Sequence, residues 1–426
     1  MPITDTTLIT RSLAARKFST ITTIAVVALG VALMLVLLSM KDAGKQAFDR
    51  GRGNMHVLIS GPQQDPLVTV LNSIFYSGAP RNYMFITKRD ELLATNPLAW
   101  AIPTQLGDSF RGLPVMATTP AFFSDFQPAE NTTWTFTQGR AFDKPFELVV
   151  GAEAAAIRGL ALGDRVSLTH GTPKQGEDPH VHDEFVYEVV GILAPTATLH
   201  DRAIFSDLTS SWTLHAHDRR LGELGPDITT TPADLLDEDK KITGLYARVL
   251  SRPGRDVSAI FQSAFNGLRS DPTITVAAPK QEIDKLFRIV GNIDQIIVAL
   301  AATVLVVGAV TVMLVLYQAM EQRRRQIAVL RVLGCTKPRI FSLIVTESAF
   351  IGAAGALAGT AVGLLAARVV ADILYQRLGL VITPGFEPRL VLGLAVATIA
   401  LAAVAGLIPA VAAYRTPVIK NLRPAA

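Results

Sequence analysis

The sequence is poor in cysteine and in charge, and both shortages limit what the chain can be. Cys335 is the one cysteine among 426 residues, which excludes an internal disulfide framework and leaves the redox compartment open. Charged residues make up only 18% of the chain, whereas 50% are hydrophobic and the mean hydropathy is +0.35. A soluble domain of this length needs more charge to keep its surface hydrated, so the composition favours an integral membrane protein.

Sequence motifs of nucleotide-driven and hydrolytic chemistry are also missing. The chain has neither a G-x-x-x-x-G-K-[ST] phosphate loop nor a G-x-G-x-x-G segment. No carboxylate pair and no Ser-His-Asp arrangement can be placed on one face. We therefore expect no catalytic residue and no cofactor in this chain, and any chemical energy must come from a partner.

Four apolar runs are each long enough to cross a bilayer as a helix, which takes about 20 residues. The predicted spans are 21–40, 289–317, 343–367 and 390–411, and residues 368–389 form a short external loop between the last two. A cleaved signal peptide has a similar basic start to the first run. The apolar core of a signal peptide is shorter than this run, however, and Met40-Lys41-Asp42 offers no small-residue cleavage site.

The basic residues between the runs predict the orientation. Segments 1–20, 318–342 and 412–426 carry three, six and three lysines or arginines, against only the acids Asp5 and Glu321. Basic residues in short flanks mark the cytoplasmic side, so these three segments are predicted to be cytoplasmic. Residues 41–288 then lie outside the cytoplasm, in a one-plus-three arrangement of spans. Because the basic excess is a topology signal, nucleic acid is not an expected partner.

The long segment 41–288 reads as a mixed α+β domain ending in a helical stalk. Short strand-like runs alternate with turn signals and two helical stretches. The predicted strands are His56 to Ser60, Glu147 to Val150, Arg165 to Thr169, Phe185 to Leu193 and Ile242 to Leu250, and the helices are Pro66 to Ser77 and Asp256 to Ser270. The apolar residues Ile283, Leu286, Val290 and Ile293 recur at helical spacing, which indicates a stalk that continues into the second span.

Three glycines at four-residue spacing mark one face of the third span: Gly355, Gly359 and Gly363. Small residues at this period let a neighbouring helix approach closely in lipid. Glycine is common in membrane helices in general, but three in register favour helix packing.

The segment between the second and third spans, EQRRRQIAVLRVLGCTKPRIFSLIVTESAF, resembles the signature of FtsX-like permeases of the MacB type. The matching residues are Arg323, Ile327, Ala328, Leu330, Arg331, Leu333, Gly334 and Glu347. Gln326 departs from the family pattern, which has glutamate there. The soluble segments LVVGAEAAAIRGLALGDRVSLTHG and VVGILAPTATLHDRAIF resemble the core of the family's periplasmic domain, and the tail from Pro409 resembles the family's ending.

This resemblance implies a permease subunit of an ABC transporter in the bacterial inner membrane. It implies a separate ATPase that binds ATP and magnesium, and a homodimer of permeases. It also implies that motion of the ATPase is relayed to the periplasmic domain, where it moves a substrate. A periplasmic or outer-membrane partner is a further expectation. Two other classes stay open: a membrane-anchored ligand-binding sensor and a membrane hydrolase. A neighbouring ATPase gene would separate the first class from both.

The basic segment could serve topology alone, but its apolar residues suggest more. Ile327, Leu330 and Leu333 interleave with Arg331, which predicts an amphipathic helix at the interface that Gly334 would end. A coupling helix that docks in an ATPase groove needs such a face. The residues predicted to couple to the ATPase are Arg323, Gln326, Ile327, Leu330, Arg331, Leu333 and Gly334.

The run His180-Val181-His182-Asp183-Glu184 is a candidate half-site for zinc. Alternate residues of a strand share a face, and imidazole with carboxylate suits this metal. Structural zinc takes four ligands, so His180, His182 and Asp183 would need another from Glu184, His170 or His200. A solvated polar loop is the alternative for the same residues.

Overall fold

The computed structural model describes residues 5–78, 80–170, 184–225, 228–250, 257–378 and 384–415. The chain divides into two compact units. The membrane unit consists of Met1–Gly44, Val290–Arg377 and Ile382–Ala426, and the soluble unit consists chiefly of Lys45–Ile289.

The described part of the membrane unit consists of helices. In chain order they are α1 (Asp5–Ala15), α2 (Lys17–Arg50), α9 (Pro279–Val332), α10 (Lys337–Leu378), α11 (Pro388–Ala405) and α12 (Leu407–Tyr414), of which α2 and α9 also extend into the soluble unit. Four stretches in the described residues are long and apolar enough to cross a membrane: Lys17–Ala47, Val298–Glu321, Lys337–Tyr375 and Pro388–Tyr414. One such helix precedes the soluble unit and three follow it, which confirms the predicted fold class.

The fourth span is interrupted at Gly406, between α11 and α12. Pro409 follows three residues later, and a proline ring clashes with the carbonyl four positions before it, here that of Ala405. The proline therefore accounts for the break at this point. Gly406 also lies so close to Ser348 of α10 that a Cβ would overlap that side chain.

The soluble unit is an α+β domain around one large mixed sheet. Its strands are β1 (Val57–Ser60), β2 (Met84–Phe85), β3 (Leu98–Phe110), β4 (Leu113–Thr118), β5 (Phe136–Gly139), β6 (Glu147–Val150), β7 (Arg165–Val166), β8 (Thr169–His170), β9 (Tyr187–Leu193), β10 (Ile204–Asp207), β11 (Lys241–Ile242), β12 (Gly244–Val249) and β13 (Thr275–Ala277). Its helices are α3 (Pro66–Phe75), α4 (Ile86–Thr95), α5 (Ala121–Ser124), α6 (Ala152–Arg158), α7 (Leu208–Leu224) and α8 (Val257–Arg269).

Within the described residues, eleven strands join in one sheet whose main order is β13-β1-β12-β3-β4-β10-β6-β9-β5. The pairs β4–β10 and β6–β9 are parallel, and the other adjacent pairs are antiparallel. Strands β2 and β11 form a separate two-stranded ribbon. The long hairpin of β3 and β4 lies in the centre of the sheet, and β8 and β7 pair with β3 and β9 beside the main path.

The segment after α2 and the start of α9 both pack into one hydrophobic core of the soluble unit. Met55, just after α2, and Ile283, near the start of α9, are fully buried in a cluster with aromatic residues of α5, β10 and β12. Lys45 Nζ lies 3.1 Å from Asp284 Oδ1, so an ion pair also joins the two helices. The stalk is therefore anchored in the core that supports the sheet.

A fully buried histidine, His200, lies in that aromatic cluster. Tyr76 Oη and His200 Nδ1 are 2.7 Å apart, and Phe122 and Phe126 pack edge-on against the imidazole. Because the ring is fully buried, its desolvation lowers the pKa of His200 to about 4 from 6.5.

We expect the soluble unit to lose stability as the pH falls from about 6.5 towards 4, because His200 becomes protonated in the unfolded chain but stays neutral in the folded domain. The loss is on the order of 3 kcal/mol and is complete below the folded pKa. Chemical denaturation of the intact chain at several pH values measures it. His200→Gln should flatten the slope, leaving a smaller slope from His56, whose pKa is also lowered by burial and by Arg248 and Arg52. If the free energy of unfolding of His200→Gln depends on pH as in the wild type, groups other than His200 cause the loss of stability in acid.

Candidate coupling site and helix-packing face

The predicted coupling segment forms a helical hairpin made by the end of α9 and the start of α10. The turn between them depends on Gly334, whose φ of +96° favours a residue without a Cβ. Leu333 N donates to Val329 O at 3.0 Å and Gly334 N donates to Arg331 O at 3.2 Å, which ends α9. The predicted role of Gly334 as a helix terminator agrees with this geometry.

One face of the hairpin is buried inside the membrane unit. Ile327 and Ala328 of α9 and Ile340 and Ile344 of α10 are almost fully enclosed. They pack with Met320, Ala410 and Ala413, and Cys335 lies partly buried against the same cluster. Ile327, one of the predicted coupling residues, therefore points to the inside of the protein and not to a docking partner.

The opposite face of the hairpin exposes apolar side chains. Leu333 is 77% exposed, Val332 is 64% exposed and Val329 is 43% exposed. Their spacing of three and four residues places them on one side of the helix. The exposed residues Thr336, Lys337 and Arg339 follow in the turn and the first turn of α10. We call Val329, Val332 and Leu333 the docking face.

The structure separates the predicted coupling residues into different environments. Leu333 belongs to the docking face, Arg331 is half-buried and Ile327 is buried. Arg323, Gln326 and Leu330 lie within α9, but their side chains are outside those described. Sequence reasoning missed Val329 and Val332, although apolar residues on both sides of one helix indicate two contacting surfaces.

The C-terminal helix supports the hairpin from the inside. Ala410 and Ala413 of α12 belong to the cluster under the hairpin, and Lys337 Nζ lies 5.3 Å from the centre of the Tyr414 ring. An ammonium at this distance from an aromatic face is attracted to it. Any displacement of the hairpin therefore also involves α12 and, through α9 and α10, the rest of the membrane unit.

The glycines of α10 lie against α2. A Cβ on Gly355 would come within 2.6 Å of Val27 Cγ1, and one on Gly359 within 2.6 Å of both Ala28 O and Val31 Cβ. Gly363 faces Ala32, with 3.2 Å from its ideal Cβ to the Ala32 Cα. The three predicted packing glycines thus share one contact surface, where the two backbones approach closely.

Glycines also mediate the contact between α2 and α9. Gly30 of α2 lies against Leu305, and Gly308 of α9 lies against Val27. The first span therefore contacts both helices of the hairpin within the membrane unit.

The zinc hypothesis falls on residues that the structure leaves undescribed, because His180, His182 and Asp183 lie within 171–183. Glu184 is described, and its Oε1 lies 3.7 Å from His217 Nε2. His200, one of the further ligands considered, lies in the aromatic core. Across the described ranges no group of three or more histidine, cysteine or acidic side chains could hold a metal ion. Zinc binding by this run stays a prediction.

Comparison with family models matches nearly the whole chain. The model described as the FtsX-like permease C-terminal matches residues 298–418, and the model described as the MacB-like periplasmic core domain matches residues 20–262. An uncharacterized ABC transporter permease of Methanocaldococcus jannaschii is 24% identical over 181 residues, which are 42% of this chain and 45% of that protein. The match thus spans less than half the length of this relative.

Two solved structures are similar to the chain at low scores. The periplasmic region of MacB from Actinobacillus actinomycetemcomitans gives a TM-score of 0.32 at 10% identity, covering 55% of this chain and 93% of that one. The extracellular domain of the noncanonic ABC-type transporter YknZ from Gram-positive bacteria gives 0.28 at 9% identity, covering 52% and 99%.

Proposed function

The chain belongs to the MacB-type family of FtsX-like ABC transporter permeases, and we propose that it couples a separate cytoplasmic ATPase to a soluble domain outside the membrane. The observation that carries this proposal is the docking face. Val329, Val332 and Leu333 are exposed at the end of α9, and the basic residues Lys337 and Arg339 follow at the start of α10. An exposed apolar patch beside polar residues is typical of a protein contact site.

The hairpin is suited to transmit a displacement because, among its described side chains, one face is packed inside the membrane unit and the docking face is exposed. Its inner face packs against α12 through Ile327, Ile340 and Ala410. A rigid, well-packed interior transmits displacement instead of absorbing it. Closure of an ATPase dimer against the docking face would therefore move α9 and α10 as rigid bodies.

Helix α9 provides the path from the hairpin to the soluble unit. It is a single helix from Pro279 to Val332, so it contains both the docking face and the stalk residues. Ile283, near its start, is buried in the core of the soluble unit, and Asp284 pairs with Lys45 of α2. We infer that motion of the hairpin reaches the sheet along this helix and moves a substrate outside the membrane.

The transporter is assembled from permease and ATPase subunits. ATP and magnesium bind the partner ATPase, and two permeases form a homodimer so that each ATPase of a dimer has one hairpin to engage. The protein resides in the cytoplasmic membrane, with both termini in the cytoplasm and a periplasmic or outer-membrane partner for the soluble unit. Affinity purification of the intact chain from native membranes should co-isolate an ABC ATPase that hydrolyses ATP. Absence of any ATPase, with ligand binding by the soluble unit, would favour the sensor alternative.

The proposed topology predicts the reactivity of one engineered cysteine. Thr229 is exposed on the soluble unit, so Thr229→Cys should react with an impermeant thiol reagent in cells with an opened outer envelope. Cys335 lies in the hairpin turn and should stay unlabelled under the same conditions, which makes it the internal control. Labelling of Cys335 with protection of position 229 would reverse the orientation.

A further inference from the structure

The first helix, α1, is attached to the third span by buried polar contacts. Ser12 Oγ donates to Glu347 Oε1 at 2.6 Å, and Arg16 Nη2 donates to the same oxygen at 2.7 Å. Arg16 Nη2 also lies 3.2 Å from Ser12 Oγ, which closes a three-membered network. Ser12 and Glu347 are both buried. The carboxylate of α10 is thus held by residues from the start of the chain.

Apolar contacts enclose this network. Ile9 and Leu13 of α1 are buried together with Val312 and Leu316 of α9 and Ile351 of α10. Val27 of α2 completes the cluster. Helix α1 therefore lies against three spans at once, and its polar residues are on the same side as its apolar ones.

The position of this cluster along the helices relates it to the hairpin. Leu316 in the cluster is one helical turn before Met320, which packs under the hairpin. On α10, Ile340 and Ile344 pack under the hairpin, whereas Glu347 and Ile351 contact α1 and its neighbours. One stripe of α10 thus continues from the hairpin to the network at spacings of three and four residues.

Arg16 lies at the junction of α1 and α2, so the network also involves the first span. Its amide donates to Leu13 O at 3.1 Å and its carbonyl accepts from Thr20 N at 2.9 Å. The arginine therefore has its backbone at the bend and its guanidinium on α10. Moving α10 without α1 would leave Glu347 buried without its charged partner, which is strongly destabilising even where the intact pair itself contributes little.

We propose that α1 is a latch whose Ser12–Arg16–Glu347 network fixes the start of the first span to the third span, so that hairpin motion moves both together. This proposal rests on the function proposed above. Arg16, Ser12 and Glu347 are positioning residues, because they act through the helices they join and not through contact with ATP or substrate.

The docking of α1 can be tested without an ATPase. In a Cys335→Ser background, Leu13→Cys places a thiol in the buried cluster and Ala14→Cys places one on the exposed side. In the intact chain in membranes, Glu347→Gln or Arg16→Met should speed labelling of position 13 by about tenfold or more, because the pair is broken. Arg16→Lys keeps one charged contact and should preserve protection, and position 14 should label rapidly in every variant. Unchanged labelling of position 13 in Glu347→Gln and Arg16→Met would overturn the latch.

The role in coupling is tested in the complex with the ATPase. Glu347→Gln and Arg16→Met leave the docking face intact, so the ATPase should still co-purify while ATP turnover of the complex changes several-fold. Arg16→Lys retains a charged contact with Glu347 and should keep the wild-type rate. Faster labelling of position 13 with unchanged turnover would overturn the positioning role. If the wild-type chain binds no ATPase, the proposed function fails, whereas the labelling result still decides whether α1 is latched.

Discussion

Replacing Val332 and Leu333 with aspartate is expected to release the partner ATPase while leaving the permease folded. Both side chains are largely exposed, so the substitutions remove little packing from the membrane unit. In a docked complex they would lose apolar burial worth about 1.5–3 kcal/mol per side chain and would desolvate a charge. Loss of one such leucine weakens association roughly ten- to hundredfold, so the double variant should abolish co-purification.

Two variants of the same hairpin serve as controls. Thr336→Asp adds one aspartate at an exposed position of the turn without removing an apolar contact, and should leave most of the ATPase bound. Ile327→Asp buries a carboxylate in the cluster under the hairpin and should instead reduce the amount of folded permease. Full recovery of the ATPase with the Val332→Asp, Leu333→Asp variant would exclude the docking face as the coupling site.

The sequence predicted an amphipathic coupling helix between the second and third spans, ended by Gly334, but not which of its faces is exposed. In the structure this segment is the end of α9, which continues without a break from the second span. Ile327, Leu330 and Leu333 follow helical spacing, and that pattern alone assigns them to one surface. The structure buries Ile327 because α12 returns to cover that side through Ala410 and Ala413. A contact between residues so distant in the chain leaves no local signal, so the inward and outward faces could not be separated from periodicity.

The soluble unit was predictable where strands are short and bounded by turns. Glu147–Val150 is a strand with the predicted bounds, and α3 ends within two residues of the predicted helix. The predicted strand Ile242 to Leu250 is instead divided between β11 and β12, which pair with different partners. The central hairpin of β3 and β4 was missed. In β3, Pro103 and Gly107 argue against a long strand, yet a register shift between Leu106 and Asp108 accommodates the irregularity.

Arg16 of the N-terminal segment contributes both to the basic charge that predicts the orientation and to an ion pair with the third span. Arg16 is one of the three basic residues of segment 1–20 whose charge predicts the cytoplasmic side. Glu347 is an acid near the start of the third apolar run. Because an acid in a span is costly unless paired, the two together could have predicted an ion pair between the first helix and the third span. The distance of 2.7 Å between Arg16 Nη2 and Glu347 Oε1 shows that pairing.

Gly359→Val is expected to separate α10 from α2 and to destabilise the membrane unit. The ideal Cβ at this position lies 2.6 Å from the carbonyl oxygen of Ala28, and a backbone atom cannot turn aside as a flexible side chain can. Overfilling a packed contact typically costs about 1–3 kcal/mol, and here the helix itself must shift. Since α2 also contacts α9 through Gly30 and Gly308, the displacement would alter both contacts of the first span.

Gly393→Val is the matched control for this substitution. Gly393 lies within α11, and a Cβ there would meet no atom of the described residues within 4 Å. Both variants replace glycine with the same apolar side chain inside a membrane helix, so the intrinsic change in helix propensity is the same. Thermal unfolding of the purified chain in detergent should therefore show a lower midpoint for Gly359→Val and a midpoint near wild type for Gly393→Val. The same pair should differ in ATP turnover of the complex, because a displaced α2 can no longer move with α10. Equal midpoints for the two variants would mean that the glycine face of α10 is free of close packing.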